Sequence, residues 1–315
     1  MSLKLPPVIL IVGPTASGKT ELAMNLVDRF PLEIVSVDSA LVYRGMNIGT
    51  AKPTAETLQK YPHHLIDLIE PTDHYSAARF CGDALNAITD IGARGKIPLL
   101  VGGTMLYVKA LLEGLSDLPE ADTEVREALA ERALLKGWPA MHAELARIDP
   151  ETAARLKPTD AQRIQRALEV FQLTGSRISE LQVRHAKQQQ LPFEALKIGL
   201  TAEPRAILHE RIAIRFDKML SAGLIDEVVS LRQRYVLRAD MPSMRCVGYR
   251  QAWQLLEGEL DEAAMRERGV AATRQLAKRQ LTWLRAMPEV QPIDCLRSDL
   301  ADRVVDKVEE FLQQI

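Results

Sequence analysis

The chain has 315 residues, 47% hydrophobic and 26% charged, with a net charge of −2. That size allows one large domain or a domain carrying an insertion, and the near-neutral charge excludes a general polycation, so any nucleic-acid surface has to be a local patch. No apolar run approaches bilayer length, and Cys81, Cys246 and Cys295 are too few and too far apart for a disulfide framework or a cysteine zinc site.

In chain order, the apolar run Val8–Val12 predicts a buried strand ending at Gly13. Gly13, Gly18, Lys19 and Thr20 then fill every fixed position of G-x-x-x-x-G-K-[ST], with Pro14, Thr15, Ala16 and Ser17 between them. A helix is predicted over 21–30, where Leu22, Leu26 and Phe30 repeat every four residues. Strand before and helix after is the context a phosphate-binding loop requires. Backbone N–H groups and the helix N-terminus face the anion, Lys19 adds a full charge, and the Thr20 hydroxyl suits a magnesium ion. Strands are predicted over 33–37 and 97–101, with a helix capped by Ser76 between them. Continuous apolar strands separated by helices imply a parallel sheet covered on both faces, hence an α/β fold with a three-layer P-loop core.

Residues 120–187 hold no strand candidate and read as helices over 123–136, 140–149 and 160–173, punctuated by Pro139, Pro150, Pro158 and Gly175. A strand returns at 196–200, and the remainder reads as helical over 205–222, 226–235, 249–256 and 261–286. The expectation is a catalytic core of 1–119 and 188–315 with an all-helical insertion of 120–187. Residues 1–7 carry no signal-peptide cleavage pattern, so reduced cysteines, a cytoplasmic location and no membrane association are expected.

Ligands in open α/β sheets bind beyond the carboxyl ends of the strands. Three motifs sit at such ends and are expected to share one cleft: residues 13–20, Asp38 with the residues after it, and Gly102-Gly103-Thr104. Asp38 suits either of two roles, magnesium ligand or general base. Thr104 suits a helix cap or a donor to a leaving phosphate. Arg211 and Arg215 share a helix face; one is expected to reach a pyrophosphate and the other to pair with Glu210 or Asp217. Arg245, Gly248, Tyr249 and Arg250 suit phosphate contacts and base stacking. Gln162, Arg163 and Arg166 lie off the apolar stripe of Ile164, Leu168 and Phe171 and are expected to be exposed. They belong to a stretch, 155–187, of net charge +4, and 262–285 also carries +4, with Arg274, Lys278 and Arg285 on one stripe. His63, His64 and His74 read as polar loop histidines.

The motifs at 13–20, Asp-Ser-Ala-Leu-Val-Tyr (38–43), Asn-Ile-Gly-Thr-Ala-Lys-Pro (47–53), Val-Gly-Gly-Thr-Met-Leu-Tyr (101–107), Gln-Arg-Ile-Gln-Arg-Ala-Leu-Glu-Val (162–170) and Arg-Cys-Val-Gly-Tyr-Arg-Gln (245–251) together resemble the bacterial tRNA dimethylallyltransferases, over about residues 7–290. The resemblance implies transfer of a dimethylallyl group from dimethylallyl diphosphate to N6 of adenosine 37 of tRNA. Residues 13–20, with Arg211 or Arg215, would hold the diphosphate and Mg2+, with Thr20 as the metal ligand and Asp38 as a further one. Asp38 would take the N6 proton, and Thr104 would contact substrate near the reacting centre. Asp38, Ser39, Ala40, Leu41, Thr104, Arg126, Gln162, Arg163, Ile164, Gln165, Arg166, Arg245, Cys246, Val247, Gly248, Tyr249 and Arg250 would contact tRNA, and the insertion would be a mobile flap gripping the anticodon stem. A monomer is expected. At 40–41 this chain has Ala-Leu where many members have Met-Gln, which removes a polar side chain, and the zinc finger of eukaryotic members is absent. The residues alone also admit a P-loop small-molecule kinase, an isopentenyltransferase acting on AMP, and an RNA-binding module with a vestigial phosphate loop.

Overall fold

A computed structural model describes residues 5–114, 118–119, 121–186, 193–287 and 289–315, without the side chains of 183–186. The elements are β1 (Val8–Val12), α1 (Lys19–Arg29), β2 (Leu32–Val37), α2 (Ala55–Lys60), β3 (His63–His64), α3 (Ala77–Ala93), β4 (Ile97–Gly102) and α4 (Met105–Glu113). Then follow α5 (Thr123–Lys136), α6 (Trp138–Ile148), α7 (Pro150–Arg155), α8 (Ala161–Thr174) and α9 (Ile178–Ala186). The chain closes with β5 (Ala195–Thr201), α10 (Arg205–Ser221), α11 (Leu224–Arg234), α12 (Tyr249–Leu256), α13 (Glu262–Ala286), β6 (Gln291–Asp294) and α14 (Leu300–Gln314). The α3, α5 and α13 helices start at capping residues: Ser76, Asp122 and Asp261 each accept a backbone N–H three residues on. No described helix is long and apolar enough to cross a membrane.

Two compact units result, Met1–Lys109 with Pro192–Ile315, and Ala110–Leu191. In the first, six strands form one parallel sheet in the order β3-β2-β4-β1-β5-β6. Strand alternation divides its side chains between two faces. Ile9, Ile11, Ile34, Leu99, Ile198 and Leu200 pack with α1, α10, α13 and α14, while Leu10, Val35 and Leu100 point to the side on which α3 lies against β2 and β4. All five residues of β1 are buried, so the loop that follows it is anchored at the centre of the sheet. The second unit is all helical among its described residues, around Leu129, Met141, Leu145, Ile164 and Leu168. Its buried Asp149 accepts hydrogen bonds from Thr152 and Ser179 and so ties α7 to α9.

Several elements escaped the sequence pattern for physical reasons. After β5 the chain is not wholly helical, because β6 adds an edge strand. Pro292 and two exposed positions hide it, as edge strands tolerate both. His63–His64 is not loop but β3, paired with Ile34 and Val35 and too short to show a period. The α2 helix buries no residue and so has no apolar stripe to read.

One close approach sets the geometry of the strand ends. Gly102 pairs with Val12 on one side and Val37 on the other, and a Cβ there would strike the Val37 carbonyl. Asp38 and Thr104, which follow these strands, are thereby held side by side. Gly102→Ala is expected to destabilise the fold by about 1–3 kcal/mol, the usual cost of overpacking. Denaturant unfolding reads this, and unchanged stability would mean that β2 and β4 can part without cost.

Candidate active site

The loop after β1 turns through left-handed backbone at Ala16 (φ 64°) and Gly18 (φ 83°). Ser17 is buried and its hydroxyl donates to the Pro14 carbonyl at 2.8 Å, which closes the loop on itself. Gly18 is the N-cap of α1 and offers no side chain, so the first N–H groups of that helix are left for a ligand. Lys19 Nζ donates to the carbonyls of Gly13 (2.9 Å) and Pro14 (2.6 Å). Burial pulls the Lys19 ammonium down to about 8; Asp38 opposes that shift and Arg215 adds to it. Burial also lowers Arg215, against the attraction of Asp38. The lysine, the arginine and the carboxylate therefore feel one another across one space.

Asp38 follows β2 directly, and its Oδ1 accepts the Ala40 N–H at 2.8 Å, the short local turn that Asp favours. Thr104 follows β4. Its N–H donates to Val37 O at 3.2 Å, and its hydroxyl oxygen accepts the Ser39 N–H at 3.0 Å. Its own carbonyl receives the N–H groups of Tyr107 and Val108, so it starts α4 while its side chain steadies the turn at Asp38.

These groups line one cleft of about 780 Å3 together with Arg215, Arg245, Cys246 and Val247; Phe216, Met219, Leu276 and Trp283 give it an apolar wall. The three strand-end motifs thus converge as expected. Between the two candidate arginines, Arg215 lines the cleft and exposed Arg211 does not. The expected partner Asp217 pairs with Arg266 instead. Burial, with Asp38 adding to it, pushes the Cys246 thiol up to about 12, so it faces the cleft as a neutral group.

Other expected contacts are redirected. Tyr249 is fully buried and its hydroxyl donates to Glu227, so it cannot stack on a base. The same carboxylate accepts the N–H groups of Asn47, Ile48 and Gly49, which fastens that loop to α11 and α12. Gly248 is buried at the N-cap of α12, while Arg245 and Arg250 are exposed. In the second unit, Ile164 is core and offers no side chain to RNA. Arg166 is half-buried rather than exposed: it pairs with Glu169, as Arg126 does, and Gln165 donates to the Arg126 carbonyl. Gln162 and Arg163 remain exposed.

Gln280, Ser36 and His63 line the cleft without having been given a site role from the sequence. Gln280 of α13 is buried and bonds to both Thr15 and Gly103. A signal existed, since it sits among Ala277, Leu281 and Leu284 on a buried stripe where a polar residue is out of place. Ser36 also lines the cleft, and its buried hydroxyl has no hydrogen-bond partner among the described residues. His63 lines it too, from β3, with Nδ1 2.6 Å from the Tyr61 carbonyl; burial lowers its pKa.

A magnesium site fits this set. No group of three or more His, Cys, Asp or Glu side chains able to hold a metal occurs among the described residues, but magnesium needs only one or two protein ligands beside phosphate oxygens. Thr20, Ser36 and Asp38 contribute oxygen atoms to the lining of the cleft, and Ser36 has no other partner among the described residues.

The family model described as IPP transferase matches residues 41–287, and a second, Isopentenyl transferase, matches residues 6–68. The chain belongs to the IPP transferase family. A tRNA dimethylallyltransferase of Dechloromonas aromatica (strain RCB) is 58% identical over 309 residues, 98% of each chain, and one of Azoarcus sp. (strain BH72) is 59% identical over 306, 96% of this chain and 95% of that one. The full-length tRNA isopentenylpyrophosphate transferase of Bacillus halodurans superposes with a TM-score of 0.69 at 37% identity, covering 98% of both chains. A eukaryotic dimethylallyltransferase acting on tRNA reaches 0.81 at 26% identity, over 98% of this chain and 80% of the other. This IPP transferase is therefore a prenyltransferase with a P-loop α/β core.

Desolvation of Lys19 has a measurable sign. A bound anion stabilises the ammonium, so the pKa should rise from about 8 toward its ordinary 10.5 when diphosphate is present. Competitive acylation read by mass spectrometry should show half-maximal labelling of Lys19 near pH 8 in the free protein, and a higher midpoint with inorganic diphosphate. A midpoint near 10.5 in both states would show that the cleft does not desolvate this lysine.

Proposed function

We propose that this IPP transferase moves the dimethylallyl group of dimethylallyl diphosphate to N6 of adenosine 37, beside the anticodon of tRNA, in the cytoplasm. The observation that carries this reading is that the phosphate loop and Asp38 line one cleft together with the apolar side chains of Phe216, Met219, Leu276 and Trp283. The loop, Lys19 and Arg215 suit a diphosphate; the apolar wall suits a five-carbon chain and keeps water from an allylic centre.

In the transfer, the N6–C1 bond forms as the C1–oxygen bond to diphosphate breaks. The exocyclic amine is a weak nucleophile because its lone pair is delocalised into the ring. Asp38 accepts a hydrogen bond from N6 as charge develops and takes its proton. Loop N–H groups, Lys19 and Arg215 stabilise the charge that grows on the departing diphosphate. Thr20, together with Ser36 and Asp38, would hold Mg2+, which would supply further neutralisation of that charge. Thr104 keeps the turn at Asp38 in place through Ser39. An adenine stacked in an anticodon loop cannot reach a carboxylate inside a cleft, so the base is flipped out, at a cost of a few kcal/mol that protein–RNA contacts offset. Arg245 and Arg250 in the core, and Gln162 and Arg163 in the helical unit, are the exposed groups suited to the RNA backbone.

The reading is tested by incubating the protein with labelled dimethylallyl diphosphate and tRNA, AMP or ATP with small metabolites. Label should appear in tRNA; ADP release without prenyl transfer would instead identify a kinase. Asp38→Ala is expected to lower single-turnover transfer by about 10²- to 10⁴-fold with tRNA affinity kept. Near-parental rates would remove Asp38 as the base. Arg163→Ala should reduce the slope of log affinity against log salt by about 1, and Arg126→Ala by less because Glu169 already engages that guanidinium. Equal changes at both positions would mean that Glu169 releases Arg126 to RNA.

A further inference from the structure

We infer that Gln280 is a positioning residue that fixes the separation between the diphosphate cradle and the carboxylate side of the cleft. The inference rests on the transfer reading above and extends it to a residue on α13, remote in sequence from every motif of the cleft.

One planar amide makes two bonds to two different strand-end loops. Gln280 Oε1 accepts the Thr15 N–H at 2.9 Å, and Nε2 donates to the Gly103 carbonyl at 2.8 Å. Thr15 belongs to the phosphate loop after β1, and Gly103 follows β4, the strand paired with β1. From Gly103 the connection continues through its neighbour Thr104, whose hydroxyl oxygen accepts the Ser39 N–H, to the turn that carries Asp38. The amide therefore joins the group that grips the leaving diphosphate to the group that meets the nucleophile.

A second observation agrees. A Cβ at Gly103 would run into the Gln280 amide, so a glycine stands where the side chain needs clearance. Gln280 is also only 8% exposed on a helix face otherwise given to Ala277, Leu281 and Leu284. A polar group buried on such a stripe adds less stability than a leucine of similar volume, unless both its donor and its acceptor are matched. Here both are, and by backbone groups whose positions matter to the chemistry. Leucine lacks both functions, asparagine is one methylene too short, and ionised glutamate cannot donate to Gly103. The Thr15 N–H is committed to the protein, so the grip on an anion falls to the later N–H groups of the loop.

The test uses Gln280→Leu and Gln280→Glu in the full chain. Melting temperature, tRNA affinity, calorimetric binding of inorganic diphosphate with Mg2+, and single-turnover transfer at saturating substrates are measured. Misplacement of reacting groups by an ångström costs up to about 10²-fold in rate. The expected result is a transfer rate at least about tenfold lower, weaker diphosphate binding, and tRNA affinity within about twofold of the parent. If Gln280→Leu does not fold, the near-isosteric Gln280→Glu carries the same expectation. A folded variant that loses less than tenfold in rate, or loses tRNA affinity in parallel, overturns the inference. The parent protein is the control: if it transfers no label to tRNA, the transfer reading itself fails, and the diphosphate titration still decides whether Gln280 sets the cradle.

Discussion

Poorly solvated charge at the ends of the central strands is the constraint on which the rest of the core depends. Lys19 and Arg215 repel each other in a cleft that lowers the affinity of both for protons, and Asp38 is the negative group that moderates the repulsion. Isolated charges removed from water cost several kcal/mol each unless paired. Two cations facing one carboxylate leave a positive excess that an anion completes. The neighbouring structure resists relaxation of this arrangement. The Gly102 contact holds β2 against β4, Gln280 pins the phosphate loop, and Glu227 clasps the loop at 47–49 to two helices.

Features encoded locally were legible in the sequence. The phosphate loop is one contiguous motif whose strand and helix are its immediate neighbours. Asp38 and Thr104 are legible because each follows a recognisable strand end, Asp38 directly after Val37 and Thr104 after Gly102-Gly103. What could not be read depends on long-range packing. Arg211 and Arg215 are a helical turn apart and equivalent in pattern; only the packing of α10 on the sheet sends Arg215 into the cleft. Tyr249 looked like a stacking residue because its partner Glu227 lies 22 positions away, on another helix. Ile164 was placed both on an apolar stripe and in an RNA-contacting motif, and the stripe prevailed. Gln280 announced itself only as a polar residue on an apolar face, and its meaning required knowing that Thr15 and Gly103 lie beneath it.

The helical unit follows a similar logic with opposite charge. Its fully buried Glu169 receives Arg126, Arg166 and the Asp122 N–H, which satisfies the carboxylate and fixes both guanidinium groups. Breaking such a buried pair from one side is costly. These arginines therefore shape the unit first, and exposed neighbours such as Arg163 are freer to meet a polyanion.

Finally, the resting posture of Lys19 bears on selectivity among anions. Its ammonium is docked on the carbonyls of Gly13 and Pro14, so occupancy of the cradle competes with bonds the lysine already makes. A small, weakly charged ion recovers little on displacing them, whereas a ligand with several ionised oxygens draws the lysine away and engages the helix N-terminus in the same act. On the proposed reading, the docked lysine would act as a threshold that favours polyphosphate esters over the inorganic ions abundant in solution.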